Sequence, residues 1–159
     1  MRNLQQYLDA YGESHRNPAN QIIHFVCVPA IFFSTLGLFW LIPVGQWLGL
    51  EGPAVTWVNG ATILGAVSAL FYLKMSLGSL AMMVLWFAAS VAGILAIESA
   101  GISVLWTCVA IWVAAWIVQL IGHQIEGAKP SFFKEIEFLL VGPLFVVDEL
   151  RHWNERKAH

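Results

Sequence analysis

The sequence predicts an all-α membrane protein with four transmembrane helices, an N-terminal amphipathic helix and a short re-entrant or interfacial segment near the C-terminus. Three observations predict it. The 159 residues are 58% hydrophobic and only 11% charged, a balance foreign to soluble domains. Uncharged runs at 25–44, 54–73, 75–97 and 102–121 each reach the length that a helix needs to cross roughly 30 Å of hydrocarbon. All eight basic residues fall before the first run, between the second and third, or after the fourth, the asymmetry of a polytopic chain whose cytoplasmic loops retain Lys and Arg.

The expectation is one integral membrane domain over 1–159. A polar segment of more than twenty residues precedes the first run, so the first span is expected to serve as its own targeting signal. Arg2 and Arg16 precede it, Lys74 separates spans two and three, and Lys129, Lys134, Arg151, Arg156 and Lys157 follow span four. The other two loops carry only Glu51 and Glu98. Both termini are therefore expected to be cytoplasmic, in a bacterial inner membrane or an endoplasmic reticulum membrane. A net charge of -2 gives no reason to expect nucleic acid as a partner. Cys27 and Cys108 fall near opposite ends of spans one and four, roughly 18 Å apart in depth. They are expected to be apolar fillers and not a disulfide.

Leu4, Tyr7, Leu8 and Tyr11 recur at helical spacing among polar residues, the pattern of an amphipathic helix lying on the inner surface and ending near Gly12. Asn17 followed by Pro18 reads as an N-cap and first helical position. Span one then starts below the hydrocarbon, carries His24 with Asn20 and Gln21 one turn earlier, and meets Pro29 near its inner end, where a kink is expected. Spans two and three repeat small residues every four positions, Ala61, Gly65 and Ala69, then Ala89 and Gly93, which lets helices approach closely. Span four holds Trp106, Trp112 and Trp116, lipid-facing bulk or the wall of an acyl-chain slot, and finishes on Gln119, Gly122 and His123. The last apolar run, 138–147, is ten residues broken by Gly142 and Pro143. It is too short to cross and reads as re-entrant or interfacial, returning the segment 148–157 to the inner face.

That topology gathers His15, His24, His123 and His152 at one membrane face. His123 and Glu126 are three residues apart, as are Glu149 and His152, while Asp148 stands four before His152. A carboxylate at such spacing either shares a metal with the imidazole or orients its second nitrogen. Imidazole with carboxylate or water suits iron, zinc or copper, and the lack of a thiolate cluster argues against structural zinc or an iron–sulfur site. The plainer alternative is that interfacial histidines cap helices and reach toward head groups. His159, at the chain end, is set aside. No phosphate loop, nucleophile elbow or histidine-rich desaturase triplet is present. A transporter is disfavoured as well, since every charged residue can be placed outside the four spans.

The segments His15-Arg-Asn-Pro-Ala-Asn-Gln-Ile-Ile-His24 and Gln119-Leu-Ile-Gly-His-Gln-Ile-Glu126 resemble the Mpo1-like family of small membrane proteins, with Pro29, Pro130 and the Gly142-Pro143 pair extending the likeness along the chain. The resemblance implies an iron(II)-dependent dioxygenase that shortens 2-hydroxy fatty acids by one carbon, in fatty-acid α-oxidation and the breakdown of hydroxylated sphingoid bases. It implies Fe(2+) as cofactor, with no NAD(P)H and no 2-oxoglutarate, and a 2-hydroxy fatty acid, O2 and membrane lipids as partners. His15, His24, His123 and His152 are then the expected ligands. Glu126 and Glu149 either support those ligands from behind or add to them, Asn20 and Gln21 orient His24, and Arg16 or Arg151 pairs with the substrate carboxylate. A metal- or lipid-binding membrane protein without turnover, or a zinc-dependent membrane hydrolase, is the alternative.

Overall fold

The structure, a computed structural model, describes residues 3–13, 15–127 and 132–157, without the side chains of residues 11, 132–138, 149 and 153–157. It comprises α1 (Leu4–Glu13), α2 (Pro18–Trp40), α3 (Val44–Trp47), α4 (Pro53–Trp57), α5 (Gly60–Met75), α6 (Leu77–Ser99), α7 (Val104–Glu126) and α8 (Phe132–Lys157). Among the described residues there is no strand. Three helical stretches, Pro18–Trp47, Leu77–Ser99 and Val104–Glu126, are long and apolar enough to cross a membrane, whereas Gly60–Met75 is a shorter apolar helix.

The expected second span, 54–73, is thus divided. Asn59 lies in extended backbone and its side chain accepts hydrogen bonds from the amides of Ala61 (2.9 Å) and Thr62 (3.1 Å), while Thr62 Oγ1 accepts from the Asn59 amide at 3.1 Å. This capping box starts a helix inside the uncharged run. What remains, α5, has 16 residues and is about 24 Å long at 1.5 Å per residue, shorter than the hydrocarbon core.

The chain divides into two compact units, Ile31–Val113 and the pair Met1–Ala30 with Ala114–His159. In the first, Leu36, Trp40, Ala61, Val91, Ile94, Val104 and Cys108 form a buried cluster flanked by Phe33 and Phe87. Lipid tails are as apolar as these side chains, so close packing rather than the hydrophobic effect holds such helices together. Small residues supply it. A Cβ at Gly65 would come within 2.8 Å of the Phe87 ring, one at Gly93 within 2.8 Å of the Phe33 ring, and one at Gly37 would overlap Cys108 Sγ. α6 closes on Gly101, whose φ of +71° allows the amides of Gly101 and Ile102 to reach the carbonyls of Glu98 and Ile97, the Schellman arrangement.

The second unit holds α1, the start of α2, the end of α7 and α8. α1 begins with a reciprocal cap between Asn3 and Gln6. Its apolar residues Tyr7 and Leu8 are buried, and a Cβ at Gly12 would stand 3.9 Å from the Phe145 ring of α8. α1 therefore packs its apolar side chains on protein, against α8. The expected break at Gly142-Pro143 is also corrected, because α8 runs through both residues. Gly142 is there for approach: a Cβ on it would come within 2.6 Å of Val28 Cγ1 in α2. Pro143 removes one backbone donor, and it is among the most fully buried side chains, so neighbouring helices enclose the site of the lost hydrogen bond. Cys27 and Cys108 are both buried free thiols.

Candidate metal centre

Three of the predicted histidines converge. His15 sits in the turn between α1 and α2, where its amide donates to the Gly12 carbonyl at 3.2 Å. His24 follows on α2, and His123 is on the last turn of α7. Ring centroids are 4.1 Å apart for His15 and His24, 5.4 Å for His24 and His123, and 5.9 Å for His15 and His123. One nitrogen from each ring lies within 4.8 Å of the others. The three side chains are only 1–4% exposed, and their Nε2 atoms are buried and make no hydrogen bond.

This donor set fits a transition metal. Three imidazole nitrogens so close together could hold iron(II) or zinc and would leave coordination positions open for other ligands. Among the described residues, they form the group of metal-ligating side chains that meets at such distances. Burial inside packed helices keeps bulk water from competing for those positions.

The turn carrying His15 is held from two sides. Asn17 acts as the expected N-cap, its Oδ1 accepting from the Ala19 amide at 2.9 Å. Gln21 Nε2 donates to the His15 carbonyl at 2.8 Å, so Gln21 touches the backbone of His15. Glu126 accepts from the amides of Arg16 (2.9 Å) and Asn17 (2.9 and 3.2 Å) and from Asn20 Nδ2 (3.0 Å). Asn20 is fully buried against Gly122, where any Cβ would overlap its Oδ1.

Other predicted residues stand apart from the three imidazoles. His152 is outside the cluster: its side chain is 56% exposed, and Nδ1 lies 2.9 Å from the Asp148 carbonyl oxygen and 3.5 Å from its carboxylate. The expected Asp148–His152 contact thus forms, but within α8. Glu126 is not in the metal-ligating group, because both of its oxygens are taken by the Arg16–Asn20 segment. Arg16 and Arg151 are exposed. The Glu149 side chain, Lys129, Pro130 and His159 lie outside the described residues. Two neighbours of the histidines had no role assigned from sequence. Gln119 is buried one turn before His123, and Gly122 makes room for Asn20. A signal for Gly122 was present, since glycine inside a helix costs about 1 kcal/mol and signals a close approach.

A family model described as "2-hydroxy-palmitic acid dioxygenase Mpo1-like" matches residues 1–153. No curated protein and no solved structure matches the chain. The histidines meet within the matched region, on the two motifs that carried the resemblance. The chain belongs to the Mpo1-like family.

Proposed function

We propose that this protein is a membrane iron(II)-dependent dioxygenase that cleaves a 2-hydroxy fatty acid with O2 to the fatty acid one carbon shorter. The observation that carries the reading is the meeting of His15, His24 and His123, buried, with a nitrogen of each within 4.8 Å of the others. The name of the family supplies the substrate class, and the apolar helices suit a substrate that partitions into lipid.

The three histidines hold the metal, and His24 and His123 bring it to the ends of two apolar helices. Bound iron(II) supplies open positions where a 2-hydroxy acid and O2 can meet, and the redox chemistry that joins them. Buried ring nitrogens orient the metal and exclude bulk water. We assign to Arg16, next to His15 in sequence and exposed, a pairing with the substrate carboxylate. The overall change balances as RCH(OH)COOH plus O2 giving RCOOH, CO2 and H2O, in which O2 takes up the four electrons that the acid loses. NAD(P)H and 2-oxoglutarate are then unnecessary. The distribution of basic residues supports a cytoplasmic position for both termini, and with them for this site.

The test is metal analysis of the purified protein for iron and zinc, followed by incubation with 2-hydroxyhexadecanoic acid in air and in nitrogen. Bound iron and an O2-dependent fifteen-carbon acid, formed without added reductant, is the expected result. Zinc with oxygen-independent product would instead indicate a hydrolase. Metal without turnover would indicate a binding protein, and absence of metal would end the proposal.

A further inference from the structure

Glu126 closes α7 three residues beyond His123, yet it reaches back across the sequence to the start of α2. Its Oε1 accepts from the amides of Arg16 (2.9 Å) and Asn17 (3.2 Å), and its Oε2 accepts from the amide of Asn17 (2.9 Å) and from Asn20 Nδ2 (3.0 Å). Both oxygens are thus engaged by backbone and amide donors. The peptide unit joining His15 to Arg16 is gripped at each polar end, its carbonyl by Gln21 Nε2 at 2.8 Å and its N–H by Glu126 at 2.9 Å. A peptide plane held at both ends fixes the place of the His15 Cα, and the bond from the His15 amide to the Gly12 carbonyl (3.2 Å) limits rotation about it, so that together they set where the Cα–Cβ bond points.

The carboxylate suits this place. It faces the N-terminus of α2, where backbone amides concentrate partial positive charge, and hydrogen bonds to an ionised acceptor are roughly twice as strong as neutral ones. Asn20 fits beneath it only because residue 122 has no side chain.

We infer that Glu126 is a positioning residue rather than a ligand: it latches the His15 turn onto α7 so that His15 meets His24 and His123. This rests on the metal reading above, and it adds where the site's third imidazole gets its position. The sequence distance matters. His15 and His24 share one stretch of chain, and the latch ties that stretch to the helix carrying His123 at the level of the His15–Arg16 peptide.

The pairing also dictates its own rescue. In Glu126→Gln the ionised acceptor is lost, and the new amide group faces either the backbone donors or Asn20, which accepts from it only by turning its own amide and burying Nδ2 against Gly122. Adding Asn20→Asp returns an acceptor: the introduced glutamine would then donate its amide to the new carboxylate at position 20 while its oxygen keeps the backbone amides.

Full-length protein in detergent micelles, titrated with Co(II) and followed by its visible absorption, tests this together with hydrogen exchange of the Arg16 and Asn17 amides in metal-free protein. E126Q is expected to weaken Co(II) binding by about 10- to 100-fold, as loss of groups that orient ligands does, and to speed exchange at both amides. The N20D/E126Q double variant is expected to recover most of each effect. Unchanged affinity or unchanged exchange in E126Q overturns the latch. Weakened binding that the double variant does not restore also overturns it, because Glu126 would then act at the metal itself. Should E126Q not be recovered folded, Asn20→Ala removes the side-chain donor alone; a smaller loss of affinity supports the latch and none overturns it. If wild-type protein binds no Co(II), the metal reading falls, and the exchange data alone decide whether Glu126 closes the turn.

Discussion

At the start of α5, Asn59 and Thr62 satisfy each other's backbone amides within a single turn. At the start of α2, Asn17 caps Ala19 by the same chemistry, but the amides of Arg16 and Asn17 go to Glu126, a residue 110 positions away from Arg16. Both ends are asparagine caps on apolar helices. In the first, the cap side chains bond within residues 56–62 and the Gly60 amide reaches back to the Ile42 carbonyl at 3.2 Å; in the second, a carboxylate from a distant helix completes the cap, and this is the end beside the histidines. Local capping sets where a helix begins, whereas the long-range version also sets what the helix end is placed against.

The strongest way to break this contrast is to remove the imidazoles. His24→Ala and His123→Ala are each expected to abolish bound metal in the purified protein, measured by elemental analysis against protein concentration. A variant that retained stoichiometric metal would detach the distant cap from any site. Next in size is Gly122→Val, which forces a side chain into the space of Asn20 Oδ1 and Ile23. Overpacking of this kind costs about 1–3 kcal/mol, so a lower melting temperature in detergent should accompany a fall in metal content. If Gly122→Val keeps wild-type metal, the approach of Asn20 to α7 is irrelevant to the site.

Asn59→Ala sharpens the other side of the comparison. Loss of that cap is expected to cost about 1 kcal/mol, visible as a modest drop in melting temperature, with metal content unchanged because its partners are local. Smallest of all is His152→Ala. With its ring exposed and tied to Asp148 of the same helix, the substitution should leave metal content alone and shift stability by no more than about 0.5 kcal/mol.

The apolar runs made the helices legible, and Asn17-Pro18 marked the start of α2 correctly because that cap is written in adjacent residues. The bounds 54–73 differ from α5 for a related reason: absence of charge sets them, and a capping box made from Asn59 and Thr62 carries no charge. Gly142-Pro143 looked like a break by local propensity, yet the glycine answers to Val28 on another helix and the proline is buried. Tertiary contact outweighed the local signal there. Topology gathers His15, His24 and His123, which the structure brings together, and also His152, which it does not. The three-and-four spacing around His152 was real but described a contact inside α8. Glu126 could not be resolved from spacing, since its partners lie at residues 16, 17 and 20.

The separation of 110 positions from Arg16 to Glu126 also imposes an order of assembly. Translation at about 5–20 residues per second leaves His15 and His24 made and waiting for roughly 5–20 s before the end of α7 emerges. During that interval the nascent chain holds two imidazoles without the third or the carboxylate that sets the turn. On the metal reading proposed above, loading waits for residues 123–126, and a truncation ending before residue 123 should insert its early helices yet remain unable to load.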